Sequence, residues 1–225
     1  MKTIAIIGAM PSELADIRRI LGEGEVKRIS GFEFHINEYK GRTLVSVCCG
    51  IAKVNASVCT QVMIDNFAPD CVINCGIAGG MNSDVKVCDI VVSDEVLSHD
   101  LDLHFLQDYP PYCGIFKADK RIIEKTKELC AERNINCFTG RIVSGEAFIS
   151  DSKVKAEIQQ KFNPYAVDME STGVGHCCFL NEMPFASVRC ISDNADDEGA
   201  MSFDEFEKIS AKIVAELVLD LSAQL

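Results

Sequence analysis

Four carboxylates stand where acid–base chemistry could use them. Glu13 follows Gly8-Ala9-Met10-Pro11-Ser12, in which glycine permits a tight turn and Pro11 suits the first position of a helix. That puts Glu13 near a helix N-terminus, where it either merely complements the helix dipole or does chemistry. Asp193 closes the apolar run Val188-Arg189-Cys190-Ile191-Ser192-Asp193. A partly desolvated carboxyl group there could hold its proton and act as a general acid; a pair with Arg189 or a helix cap is the plainer alternative. In Val167-Asp168-Met169-Glu170-Ser171-Thr172, Asp168 and Glu170 are two residues apart at a strand-to-helix junction. Residues so spaced do not share a helical face, so at most one is expected to point into a site while the other caps. Finally, Asn74-Cys75-Gly76-Ile77-Ala78-Gly79-Gly80 reads as a glycine-rich turn after a strand. Either it is structural, or it lets a flat ring or a sugar approach the backbone.

The elements that must position these groups alternate along the chain. Short β-branched runs at 3–7, 44–47, 71–74, 90–92, 141–143 and 186–191 read as strands, and amphipathic stretches at 13–21, 54–66, 121–133, 154–162, 169–180 and 203–221 as helices. Such alternation predicts a single α/β domain over residues 1–225, a three-layer α/β/α arrangement around a mixed, largely parallel sheet. Ligands of such sheets collect at the carboxyl ends of strands, which is where the four carboxylates fall. Ser202 and Glu205 form a capping box ahead of Phe206, Ile209, Ile213, Leu217 and Leu221, a series expected to pack on the sheet. The irregular stretch from His99 to Gly114 reads as a long functional loop.

Bulk properties narrow the function. At 225 residues with 48% hydrophobic content, the chain can bury one substantial core and needs no second domain. A net charge of −12 repels nucleic acid and anionic membranes, leaving a small uncharged or zwitterionic molecule as the expected partner. The N-terminal stretch, Met1 to Gly8, is apolar over too short a run for a signal segment, and no later run is long enough to span a bilayer, so a cytoplasmic location is expected. Twelve cysteines sit inside apolar runs without a CxxC pair and read as reduced core thiols. Four scattered histidines, His35, His99, His104 and His176, predict no metal site, and no cofactor is expected.

In type and order, these segments resemble one family over nearly the whole chain, the purine nucleoside phosphorylase and nucleosidase superfamily. The matching pieces are IIGAMPSE (6–13), CGIAKVNA (49–56), NCGIAGG (74–80), VCDIVVSDE (87–95), FKAD (116–119), IVSGEAFI (142–149), VDMEST (167–172), and RCISDNAD (189–196) followed by MSFDEF (201–206). The hydrolase branch, which cuts adenine from thio-substituted adenosines such as 5′-methylthioadenosine and S-adenosylhomocysteine, fits best. The resemblance implies that Asp193 protonates purine N7, Glu13 activates water, and Arg189 positions carboxylates and water. It further implies that Glu170 accepts from the ribose hydroxyls with Met169 against the sugar, and that Phe148 and Ile149 hold the purine.

By the same similarity, Ile77, Ala78, Gly79, Asp168, Ser192 and Ala195 contact the nucleoside, while Met10, Ile51 and Phe203 form an apolar 5′ slot. Leu103 and Phe105 would close that slot from a neighbouring subunit of a homodimer. Two residues depart from the pattern: Ile77 stands where a small hydroxyl residue is usual beside the acid, and Asp168 replaces a usual glutamate. The His99–Gly114 loop is also short for the family. Three alternatives remain at this point: phosphorolysis, a hydrolase of futalosine-type or 5′-deoxyadenosine-type nucleosides, and a binding protein without catalysis.

Overall fold

The first strand, β1 (Thr3–Gly8), shows how the sheet is built: Ile4 and Ile6 enter one core while Ala5 and Ile7 enter the other, all four fully buried. Side chains alternate along a strand, so a strand apolar at every position needs cover on both faces. The computed structural model describes residues 2–196 and 199–225, except for the side chains of 199–205.

After β1 come α1 (Pro11–Leu21), the hairpin strands β2 (Glu25–Ile29), β3 (Phe32–Tyr39) and β4 (Arg42–Cys48), α2 (Lys53–Phe67) and β5 (Cys71–Gly80). The second half holds β6 (Ile90–Ser98), α3 (His104–Asp108), β7 (Phe116–Lys117), α4 (Lys120–Glu132), β8 (Cys137–Ser144), α5 (Ser152–Phe162), β9 (Ala166–Asp168), α6 (Ser171–Leu180), β10 (Phe185–Asp193) and α7 (Gly199–Gln224). Parallel pairing runs through the middle, β4 to β1 to β5 to β10, and β2 and β3 add an antiparallel edge. Because β5 pairs with both β10 and β9, and β6 and β8 link those two, five strands close into a ring. Alternation of strands and helices along the chain carries no sign of that closure.

Helices α1, α4 and α7 cover one face through Leu14, Ile17, Ile122, Leu129, Val214 and Leu217, and α2 and α6 cover the other through Ala56, Met63, Val174 and Cys178. A third cluster joins Ile158 and Phe162 of α5 to Leu97, Val143 and Ile149. Local chemistry sets the starts of two helices: Asp119 accepts from the backbone N–H of Arg121 at 2.8 Å, and Asp151 from that of Lys153 at 2.7 Å. All twelve cysteines are free thiols. Among the described residues, no helix is long and apolar enough to cross a membrane, and no group of histidine, cysteine and carboxylate side chains could hold a metal ion.

Four expectations change. The glycine segment after Asn74 is not a turn: β5 continues to Gly80, each residue from Val72 to Ala78 paired with β10. α7 begins at Gly199, so Ser202 and Glu205 fall inside the helix rather than at its start, and their side chains, with that of Phe203, lie outside the described residues. Within the expected apolar series, Leu217 and Leu221 are buried but Ile209 is 49% exposed, because α7 turns a different stripe, including Val214 and Val218, onto the sheet. The 99–114 stretch contains the short helix α3 rather than loop alone.

Candidate active site

Glu13 is the third residue of α1, and its carboxylate folds back over the helix start. Oε2 accepts from the backbone N–H groups of Ala9 at 2.7 Å and Met10 at 2.9 Å, and Oε1 accepts from that of Ile77 on β5 at 3.0 Å. Glu13 thus caps the start of α1, beside the positive end of the helix dipole. The same buried carboxylate, however, also faces a cleft. Burial pushes its pKa up, and the nearby Arg189 guanidinium and the three backbone donors only partly offset that.

Asp193 ends β10 just after a register shift between Ile191 and Asp193. It is almost fully buried, with Oδ1 accepting from Ala195 N–H at 2.7 Å and Oδ2 from Ser192 Oγ at 2.8 Å. Burial raises its pKa against the pull of those two hydrogen bonds. Although Ile77 carries no hydroxyl, Ser192 supplies one to the acid.

Asp168 and Glu170 both line the cleft, contrary to the expectation that at most one would. The helical-face argument fails because neither residue is helical: Asp168 ends β9, and Glu170 is the residue before α6, with φ −129° and ψ −35°. Glu170 Oε1 accepts from Ala52 N–H at 2.9 Å, and burial, together with the neighbouring Asp168 charge, pushes its pKa up to about 7. Asp168 accepts from Ser144 Oγ at 2.6 Å and from Ser171 Oγ.

Arg189 lies behind the cleft and is fully buried. Its Nη2 is 2.6 Å from Asp168 Oδ2 and 3.7 Å from Glu170 Oε2, and its Nη1 is 3.9 Å from Glu13 Oε1. Burial works against its charge, but the three carboxylates outweigh burial and raise its pKa. The alternative in which Arg189 pairs with Asp193 is not what forms, since Arg189 turns to the other three acids.

Gly76 makes this packing possible. It sits opposite Arg189 in the parallel register, and a Cβ on it would lie 2.0 Å from Arg189 Nη1 and 2.3 Å from Glu13 Oε1. At Gly79 a Cβ would fall 2.8 Å from Ala195 Cβ and 3.0 Å from Asp193 Oδ1. The glycines thus make room for the protein's own side chains, the structural one of the two alternatives; of the two, Gly79 also lines the cleft.

The cleft encloses about 630 Å³ of atom-free space, part of it open to solvent. Glu13, Asp168, Glu170, Ser192 and Asp193 supply its polar wall, and Met10, Ile51, Ile77, Ala78, Phe148 and Met169 much of the apolar one. Ile149 lines an adjoining recess that shares Phe148, Gly79 and Asp193 with it. Phe148 is 48% exposed at the mouth.

Not every expected residue reaches the cleft. Arg189 and Ala195 support it from behind, Leu103 packs on the cluster containing Ile149, and Phe105 is 52% exposed with its ring beside that of His104. Phe203 lies outside the described residues. Ala9 and Val167 line the cleft, and Ala52, Asn74 and Ser144 hold its carboxylates or Arg189, without having been singled out; a short polar residue inside an apolar run, as at Asn74, was the available signal.

Comparison with known proteins gives a consistent set of similarities. The family model described as the phosphorylase superfamily matches residues 3–223. A 5′-methylthioadenosine/S-adenosylhomocysteine nucleosidase of Bacillus velezensis is 37% identical over 224 residues, 97% of each chain. The same kind of nucleosidase from Neisseria meningitidis, solved with methylthio-immucillin-A, superposes with a TM-score of 0.94 at 35% identity, covering 100% of both chains. The futalosine hydrolase of Helicobacter pylori superposes with a TM-score of 0.93 at 30% identity, over 100% of this chain and 98% of that one.

Proposed function

The chain belongs to the phosphorylase superfamily, and from that premise we propose that it is an N-ribosyl hydrolase of 5′-methylthioadenosine, S-adenosylhomocysteine or both, releasing adenine and the thioribose product. The observation that carries this reading is the convergence of Glu13, Glu170 and Asp193 on one cleft.

Breaking an N-ribosidic bond generates positive charge on the sugar, so the base must leave neutral and water must arrive activated. Asp193, which burial keeps protonated above the usual carboxyl range, donates its proton to purine N7 as the N9–C1′ bond breaks and its electron pair passes to the base. Glu13 takes a proton from water as the water oxygen bonds to C1′, and both carboxyl groups are reset by exchange with solvent. Nη1 of Arg189, 3.9 Å from Glu13 Oε1, steadies that carboxylate from behind the cleft. Phe148 stacks on the purine, the Ile149 backbone bonds it, Met169 lies against the ribose, and Met10 and Ile51 receive the 5′-thio group.

Phosphorolysis needs a cation free to hold phosphate. Here the buried cation behind the cleft, Arg189, is already shared among three carboxylates, which would repel phosphate. Adenine release is expected to be independent of added phosphate, with free thioribose as the product. Formation of a ribose 1-phosphate species that requires phosphate would overturn the hydrolase reading. The apolar lining by Met10 and Ile51 favours a thioether over the futalosine type at the 5′ end.

Glu170 gives a pH signature. Ionised, it accepts hydrogen bonds from the ribose 2′ and 3′ hydroxyls; with its pKa pushed up to about 7, it gains that capacity as pH rises through about 7. Nucleoside binding is therefore expected to strengthen across that interval, and Glu170→Gln to weaken it about tenfold while abolishing the dependence. The unliganded protein behaves oppositely. A carboxyl whose folded pKa exceeds its unfolded value binds the proton better when folded, so its contribution to stability declines between the ordinary carboxyl pKa and about 7. Calorimetric titration from pH 6 to 8 tests the first point; a parent affinity indifferent to pH refutes it.

We also place the enzyme in the cytoplasm, in methionine salvage, as a homodimer. Free thiols throughout support the first. Exposed apolar residues on α2 and α6, among them Val54 and Leu180, offer a face for a second copy whose Leu103 and Phe105 would close the 5′ slot. Light scattering that gives a monomer mass at assay concentrations would remove the dimer.

A further inference from the structure

Asn74 lies in the middle of β5, fully buried, where a polar side chain costs stability unless every polar atom is used. Here both ends of the amide are used. Its Oδ1 accepts from Arg189 Nη2 at 2.7 Å and Ser187 Oγ at 3.1 Å, with the Ser171 hydroxyl, whose proton goes to Asp168, also 3.1 Å away, and its Nδ2 donates to the Ile7 carbonyl at 3.0 Å. The amide can face only one way, because a flip would turn its NH2 group toward a guanidinium. One side chain therefore joins β1, β5 and β10.

Arg189 needs such a tether. Its Nη2 is gripped by Asp168 and Asn74, whereas its Nε and Nη1 have no hydrogen-bond partner among the described residues. The guanidinium is thus fixed from one side, and the Asn74 contact competes with the pull of Asp168 and Glu170. We propose that Asn74 is a positioning residue that keeps Nη1 of Arg189 turned over Gly76 toward Glu13, and so apportions a single positive charge among three acids. Without the amide oxygen, Nη2 settles between Asp168 and Glu170, and Glu13 loses its cation.

The groups facing Glu13 make this readable. They are Arg189 from β10, Glu170 before α6, Cys48 and Cys49 at the end of β4, and Cys75 on β5. Burial pushes all three thiols up and keeps them neutral near pH 7. Arg189 is accordingly the cation whose displacement would make Glu13 harder to ionise.

The inference builds on the hydrolase reading, so its test combines kinetics with a measurement that needs no turnover. Asn74→Ala is expected to lower kcat roughly tenfold to hundredfold with KM changed less than about threefold, and to shift the acidic limb of the kcat profile to higher pH. Asn74→Asp keeps an acceptor at the Oδ1 position and is expected to retain more of kcat. In nitrogen-edited NMR of the unliganded protein, the Arg189 Nη protons should be distinct and slowly exchanging in the parent and the Asp variant, and averaged in the Ala variant. Distinct signals surviving in folded Asn74→Ala, or an acidic limb that stays put, overturn the proposal. Should the Ala variant fail to fold, averaged Arg189 signals in Asn74→Asp overturn it instead. Absence of adenine release by the parent would count against the hydrolase reading alone, because the NMR comparison decides the tether independently.

Discussion

Asp193→Asn is expected to reduce kcat for adenine release by roughly 10²–10⁴-fold while leaving nucleoside affinity within a few-fold of the parent. The substitution conserves shape, and its amide oxygen can still accept from the Ala195 N–H that holds Oδ1, while its NH2 group can donate to the Ser192 hydroxyl that held Oδ2. What disappears is the one proton the leaving adenine needs. Without it the base departs as an anion, and the ribosyl cation forms against a far steeper barrier. A coupled assay of adenine together with calorimetric titration separates the two effects. Near-parental turnover would remove Asp193 from the acid role; lost affinity with retained kcat would make it a binding group.

Gly76→Ala is expected to disable the site by a different route. No left-handed backbone angle is involved, so the cost is steric: the added methyl would occupy the space where Arg189 Nη1 and Glu13 Oε1 now meet. One charged group has to withdraw, and a buried charge separated from its partner destabilises by about 3–5 kcal/mol. Denaturant unfolding should show a loss of that order, and any folded fraction should hydrolyse substrate at least tenfold more slowly. An alanine variant within about 1 kcal/mol of the parent and fully active would show that the arginine and Glu13 do not depend on this gap.

The sequence disclosed the acids more readily than the device that holds them. Glu13 was legible because a proline and a glycine mark the turn before it, and Asp193 because it closes an apolar strand. Periodicity also found the helices on both faces. It did not find the closed ring, because closure depends on β9, three residues long and too short to show alternation. Nor did it extend β5 past Asn74, since glycine has low strand propensity; the paired β10 backbone and the Arg189 side chain override that preference. The joint placement of Asp168 and Glu170 was misjudged for a related reason: helical spacing was applied to residues that lie just before the helix.

That β5 runs unbroken through the site has one more consequence. Its amide at Ile77 grips Glu13, and two residues later Gly79 lies against Asp193, so the two anchor points are separated by strand rise alone, about 7 Å. The gauge between proton donor and water activator is thus written into sheet geometry and needs no closing motion to set it. Segments around the mouth, including the one bearing Phe148, can vary to admit a different nucleoside without recalibrating that interval. On such a scaffold, substrate choice and bond cleavage can diverge independently.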